Sequence, residues 1–128
     1  MDVTPLIRRN AKVIQAYKNG VFQISGEEYA SPVIIETGDV HIWTPSVSVA
    51  SSMTLDDFAP VFEHARMVEV LLFGTGKNFV MLPLAFRRAF KERFGVMIDV
   101  MDTGAASRTF NVLMAEGRDV VAAMLPVA

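Results

Sequence analysis

Apolar residues fall along this chain in short runs, and the spacing inside the runs changes from one half to the other. Two runs carry the strongest signal: Val68-Glu69-Val70-Leu71-Leu72-Phe73, closed by Gly74-Thr75-Gly76, and Val96-Met97-Ile98-Asp99-Val100-Met101, closed by Asp102-Thr103-Gly104. Between them Leu82, Phe86, Phe90 and Phe94 recur at every fourth position, which is one face of a helix. Pro83 suits its first position and Gly95 the position just past its end. Strand, helix and strand in this order form a βαβ unit, whose strands run parallel. A further helix is expected from about Ala105 to Glu116, with Gly117 behind it. The run Val120 to Leu125 does not alternate, as expected of a strand buried on both faces. Strands 68–73, 96–101 and 119–125 are therefore expected to be mutually parallel, joined by right-handed crossovers.

The first half follows a period of two. Asn19-Gly20 between apolar stretches predicts a hairpin, because both residues tolerate the positive φ of a type I′ turn. Centring the turn there pairs Tyr17 with Phe22 and Gln15 with Ile24, and puts Tyr17, Phe22 and Ile24 on one face. Glu27 to Pro32 reads as a loop. Val33 to Glu36 is a strand, Thr37-Gly38-Asp39 a turn, and Val40 to Trp43 another strand; Thr44 to Ser52 is a loop. Thr54 is a good N-cap for a helix that ends by Arg66, with Met53 and Phe58 placed as a hydrophobic staple. Pro60 requires either a kink or a helix proper starting near Asp57. Asn78 to Leu82 reads as a short extended piece, and Pro5-Leu6-Ile7 as a segment tucked against the body.

Composition narrows the classes. The chain has 128 residues, 52% of them hydrophobic, and a mean hydropathy of +0.34. That length suits one domain, residues 1–128, that buries about two thirds of its unfolded surface without a metal or disulfide. No run approaches the ~18 apolar residues of a membrane span, so the extra apolar surface is expected in a core or in a subunit interface, including one between copies of the chain. The absence of cysteine excludes disulfides, thiolate catalysis and cysteine-held metals. Asp2, Arg8 and Arg9 leave no apolar signal region at the N-terminus, and a cytoplasmic location is expected. A net charge of −2 argues against nucleic acid as the main partner.

Candidate chemistry gathers at the strand ends. In a parallel unit both Thr-Gly turns leave the sheet at one edge, where open α/β sheets bind ligands. Gly74, Thr75, Gly76, Asp102, Thr103 and Gly104 would line a crevice there, beside a helix N-terminus suited to a small anion. Arg108 and Asn111 stand three apart on the next helix: Arg108 could clamp a carboxylate or be solvated, and Asn111 is better suited to tethering a loop. The alternative to a ligand site is that the glycines simply turn the chain. Asp102-Thr103-Gly104-Ala105 also matches the short signature of an aspartic protease, but that chemistry needs two carboxylates. One copy is present, and it opens a helix. No spacing links His41 with His64, there is no Gly-x-Ser-x-Gly elbow, and no metal or cofactor is expected. Arg87, Arg88, Lys91 and Arg93 form the outer side of their helix, a solvated face or a surface for an acidic partner.

Together Phe73-Gly74-Thr75-Gly76, the Leu82-Pro83 helix start, Asp102 to Asn111 and Ala115-Glu116-Gly117-Arg118 resemble the Mth-type domain family, from about Ile14 to Val127. That family includes a mitochondrial complex I assembly factor, an adipogenesis-associated protein and many uncharacterised bacterial and archaeal proteins. The resemblance implies a three-layer α/β fold with a central mixed sheet, and no established catalytic activity. Many relatives have cysteine where this chain has Ser107, which weakens any thiol mechanism for the family. Thr103 and Asn111 match the mitochondrial relatives and Arg108 does not. The expected function is that of a non-enzymatic binding or assembly-type protein with a protein partner. The alternative is a small-molecule sensor or enzyme using Thr75, Asp102, Thr103 and Asn111.

Overall fold

The computed structural model describes residues 11–65 and 67–128, so the expected packing of Pro5-Leu6-Ile7 lies outside the described residues. In chain order the elements are β1 (Ile14–Ala16), β2 (Phe22–Ile24), β3 (Glu27–Tyr29), β4 (Val33–Glu36) and β5 (Asp39–Ile42). Two 3-10 turns, Ala50–Ser52 and Leu55–Phe58, lead into α1 (Ala59–His64). Then come β6 (Val70–Gly74), α2 (Leu84–Phe94), β7 (Ile98–Met101), α3 (Thr103–Ala115) and β8 (Val120–Met124).

The larger sheet has the order β5-β4-β8-β6-β7, and β1-β2-β3 form a second, antiparallel sheet. β6 pairs in parallel with both neighbours, Leu71 lying opposite Ile98 on β7 and opposite Val121 on β8. The three C-terminal strands are thus mutually parallel, as their helical crossovers require. β4 runs antiparallel to β8 and β5, so the sheet is mixed.

Strand alternation sorts the side chains into two cores. Leu71 and Phe73, Val121 and Ala123, and Ile34 face one side, against Phe58 and Val61 near α1 and Phe90 of α2. Leu72, Ala122, Val33 and Ile35 face the other, against Phe110 and Met114 of α3 and Ile14, Phe22 and Ile24 of the small sheet. The layers are helices, mixed sheet, and then α3 with the small sheet. Every residue of β8 is buried, which is why its sequence does not alternate. Phe90 is fully buried, with Phe58, Phe62 and Phe94 at 5.5, 6.1 and 4.7 Å between ring centroids.

Two local expectations are corrected. Asn19 and Gly20 do turn with φ of 57° and 75°, and Ala16 lies opposite Gln23 as a two-residue turn requires. Beyond that a bulge shifts the register, so Ile24 faces Ile14 and not Gln15. The extra residue lets Ile14 enter the core, while Gln15 stays exposed and its Oε1 accepts from the Gly26 N–H at 2.8 Å. Residues 27–29 are a strand and not a loop; their pairing with β2 outweighs a polar sequence.

The entry to α1 resolves the question of Pro60. The chain starts with a 3-10 turn after Thr54, and Pro60 sits in the first turn of α1, where its missing N–H has no cost. Asp57 holds this entry together. Its Oδ2 accepts from the Thr54 N–H and hydroxyl at 2.8 and 3.1 Å, and its Oδ1 from the Ser46 N–H and hydroxyl at 2.8 and 2.9 Å. Burial pushes the Asp57 carboxyl up, but these four hydrogen bonds outweigh it and hold the group below the usual carboxylate range. Trp43 Nε1 donates to the Asp57 carbonyl at 2.7 Å, joining the loop after β5 to the same point.

Candidate functional site

The two Thr-Gly turns do meet at one sheet edge, because β6 and β7 are parallel neighbours. What they build there is a closed hydrogen-bond network. The Thr103 hydroxyl donates to the Leu125 carbonyl at 2.7 Å and accepts from the Gly76 N–H at 2.9 Å, and the Thr103 N–H donates to the Gly76 carbonyl at 2.9 Å. Thr103 is fully buried. The Thr75 hydroxyl donates to the Asn78 carbonyl at 2.6 Å and accepts from the Val80 N–H at 3.3 Å, folding the turn back on itself.

Gly74 permits the contact between β6 and α3. A Cβ at Gly74 would lie 2.6 Å from Met124 Sδ and 2.9 Å from Thr103 Oγ1, closer than side-chain carbons approach other atoms. Asp102 is the N-cap of α3: its Oδ1 accepts from the Ala105 N–H at 2.9 Å. This cap is why α3 begins at Thr103, two residues before its expected start. The Ser107 hydroxyl donates to the Thr103 carbonyl at 2.7 Å and is buried, so this side chain is part of the helix interior.

Asn111 and Arg108 reach sideways from α3 to the small sheet. Asn111 Oδ1 accepts from the Ile14 N–H at 3.0 Å and its Nδ2 donates to the Ile14 carbonyl at 2.9 Å. It therefore serves as a two-point clamp on β1. Exposed Arg108 donates to the Tyr17 hydroxyl at 3.0 Å. A Cβ at Gly104 would lie 3.0 Å from that hydroxyl, so Tyr17 packs directly on the backbone of α3. The structure thus brings together Gly74, Thr75, Gly76, Asp102, Thr103 and Gly104. It sets Arg108 and Asn111 to work on the hairpin and not on the turns.

A family model described as a protein of unknown function (DUF498/DUF598) matches residues 14–125. The chain belongs to this family. An uncharacterized protein of Rhodobacter capsulatus is 34% identical over 89% of this chain and 84% of its own length. The human NADH dehydrogenase [ubiquinone] 1 alpha subcomplex assembly factor 3 is 30% identical over 91% of this chain. The chain spans about three fifths of that human protein, 61% of its length. The solution structure of a Bordetella pertussis protein, a Mth938-like domain, superposes with a TM-score of 0.73 at 28% identity, covering 98% of this chain and 92% of that one. The Mth-type resemblance and the α/β fold with a mixed sheet are borne out.

Two features of this DUF498 chain had no sequence signal. The rings of His41 and His64 stack at 4.0 Å with 12° between their planes, and His41 Nε2 lies 3.6 Å from both Glu36 Oε2 and Asp39 Oδ2. Among the described residues, no group of three or more histidine and carboxylate side chains is arranged to hold a metal. The second is a set of exposed apolar side chains at the other flank of the molecule, Leu84 and Met97, beside the basic side of α2. The fourfold stripe of α2 concealed it, because Leu84 falls off that stripe. No helix among the described residues is long and apolar enough to cross a membrane.

Proposed function

We propose that this chain is a non-enzymatic binding protein of the assembly type, acting in the cytoplasm on a protein partner. One observation carries the reading: at the strand ends the hydroxyls of Thr75 and Thr103 and the carboxylate of Asp102 bond to the chain itself. A ligand that used Thr103 or Asn111 would first have to displace bonds to Leu125, Gly76 or Ile14, each a buried or half-buried group that would be left unsatisfied. The sensor or enzyme alternative needs those same groups free. Similarity to an assembly factor of NADH dehydrogenase [ubiquinone] along nearly the whole of this chain supports the kind of binding proposed.

Deleting the gene in its own cell tests this. The mature NADH dehydrogenase, resolved on a native gel and stained for activity, is expected to fall while partial complexes accumulate. An unchanged mature complex would contradict it, and turnover of a small molecule by the purified protein would favour the sensor or enzyme alternative.

A further inference from the structure

The flank formed by α2 and β7 has what the turns lack: groups left without partners. Leu84, Arg87, Arg88 and Lys91 from α2, with Met97 just before β7 and Asp99 within it, line an open groove of about 180 Å³. Leu84 is 52% and Met97 63% exposed, and Phe79 and Met81 just upstream are exposed as well. Among the described residues, no ion pair involves Arg87, Arg88 or Lys91. Arg87 Nε is buried and has no hydrogen-bond partner. Arg93 shows the contrast, because it pairs with Asp56 at 2.7 Å and lies over the Phe94 ring at 4.9 Å. A buried donor without an acceptor is unfavourable, and three cations around an apolar floor favour an occupant that is anionic and apolar at once.

The sheet adds a second constraint. β7 is the last strand of the larger sheet, and among the described residues no strand lies on its outer side. Such an edge offers a row of backbone donors and acceptors to another chain. Ile98 and Val100 face the α2 side and Met101 the α3 side, so alternation puts Met97 and Asp99 with Met101, at the rim of the groove.

We propose that this edge docks an extended, acidic, amphipathic segment of a partner protein. The segment adds alongside β7 with alternate side chains on opposite faces, its carboxylates on the α2 side toward Arg87, Arg88 and Lys91 and its apolar side chains on the other side beside Met97. The proposal rests on the binding role above and supplies the chemistry of the partner. A second copy of this chain fits poorly, because pairing two β7 edges about a two-fold axis would bring the same cations together.

The test uses the full chain and a capped synthetic decapeptide alternating valine and glutamate, read by fluorescence anisotropy. Binding is expected for this peptide, with no binding of a valine–lysine counterpart. Binding should weaken about tenfold or more in Arg87→Glu/Arg88→Glu/Lys91→Glu, and also in Met97→Asp, which leaves the cations in place. N-methylation of alternate peptide amides should abolish binding if the segment adds as a strand. Circular dichroism and a melt establish that each variant is folded; were the triple variant unfolded, Met97→Asp and the modified peptides would carry the result. Equal binding of both peptides, indifference to Met97→Asp or to N-methylation, or preferential binding to phosphatidylglycerol vesicles would overturn the proposal. So would concentration-dependent dimerisation through this edge in sedimentation. The assembly reading is judged separately in the deletion strain. A lost mature complex with no peptide binding rejects this edge alone, and an intact complex with specific peptide binding rejects the assembly role alone.

Discussion

The two flanks of the central sheet make opposite use of polar groups. At the strand ends, Thr75, Asp102 and Thr103 all satisfy one another's neighbourhood, and two glycines let the backbones close up. Along α2 and β7 the cations stand open over exposed Leu84 and Met97. A polar cluster in a sheet-edge crevice looks like a site in sequence, but what decides is whether its hydrogen bonds are already spent. Substitutions at the first flank should be read in stability, and substitutions at the second in binding.

The largest stability effect is expected beneath the open flank, where α2 meets the sheet. Phe90→Ala should cost about 3–5 kcal/mol, because a fully buried ring is removed from among Phe58, Phe62 and Phe94. A denaturant melt that does not move would mean that α2 is not anchored there. Thr103→Val tests the sealed flank. It keeps the shape but strands the Gly76 N–H and the Leu125 carbonyl, and about 1–3 kcal/mol should be lost. A variant as stable as the parent would show that the network is dispensable.

Asp57 gives a pH-dependent check on the entry to α1, away from both flanks. Its folded pKa is lowered from the ordinary 3.8, so its contribution is fully present above that value and is lost as pH falls through the folded value. Below about pH 4 the parent should lose stability steeply. Asp57→Asn should be less stable at neutral pH and should lose less on acidification; equal acid slopes would remove Asp57 from the account. The smallest effect is expected on the open flank itself. Arg87→Glu/Arg88→Glu/Lys91→Glu should change folding stability by no more than about 0.5 kcal/mol, as surface substitutions without partners do. A large loss would mean that these cations hold the fold together.

Much of the architecture was legible because it rests on local pattern. Apolar runs and helix punctuation located β6, β7, β8, α2 and α3, and Asn19-Gly20 located the hairpin turn. What failed depended on distant partners. Nothing near Gln15 announces the bulge, whose cause is the burial of Ile14 against the core under α3. Glu27-Glu28-Tyr29 is polar because β3 lies at the edge of its sheet, and only pairing with β2 makes it a strand. The meeting of the two Thr-Gly turns was legible, because parallel strands bring their ends together. Its closure could not be read, because the partners of Thr103 and Asn111 are the backbones of Leu125, Gly76 and Ile14, remote in sequence and carrying no side-chain signal. The openness of Arg87, Arg88 and Lys91 was equally hidden, since sequence shows a basic helix face but not which cations find partners.

The division between a sealed edge and an open flank can be measured directly by titrating the isotopically labelled protein with the valine–glutamate peptide and following its amide signals. Shifts are expected along residues 84–91 and 97–101, with the amides of Gly74, Thr75, Gly76, Thr103 and Gly104 unmoved. Shifts concentrated at those five turn residues, with α2 and β7 silent, would contradict the account.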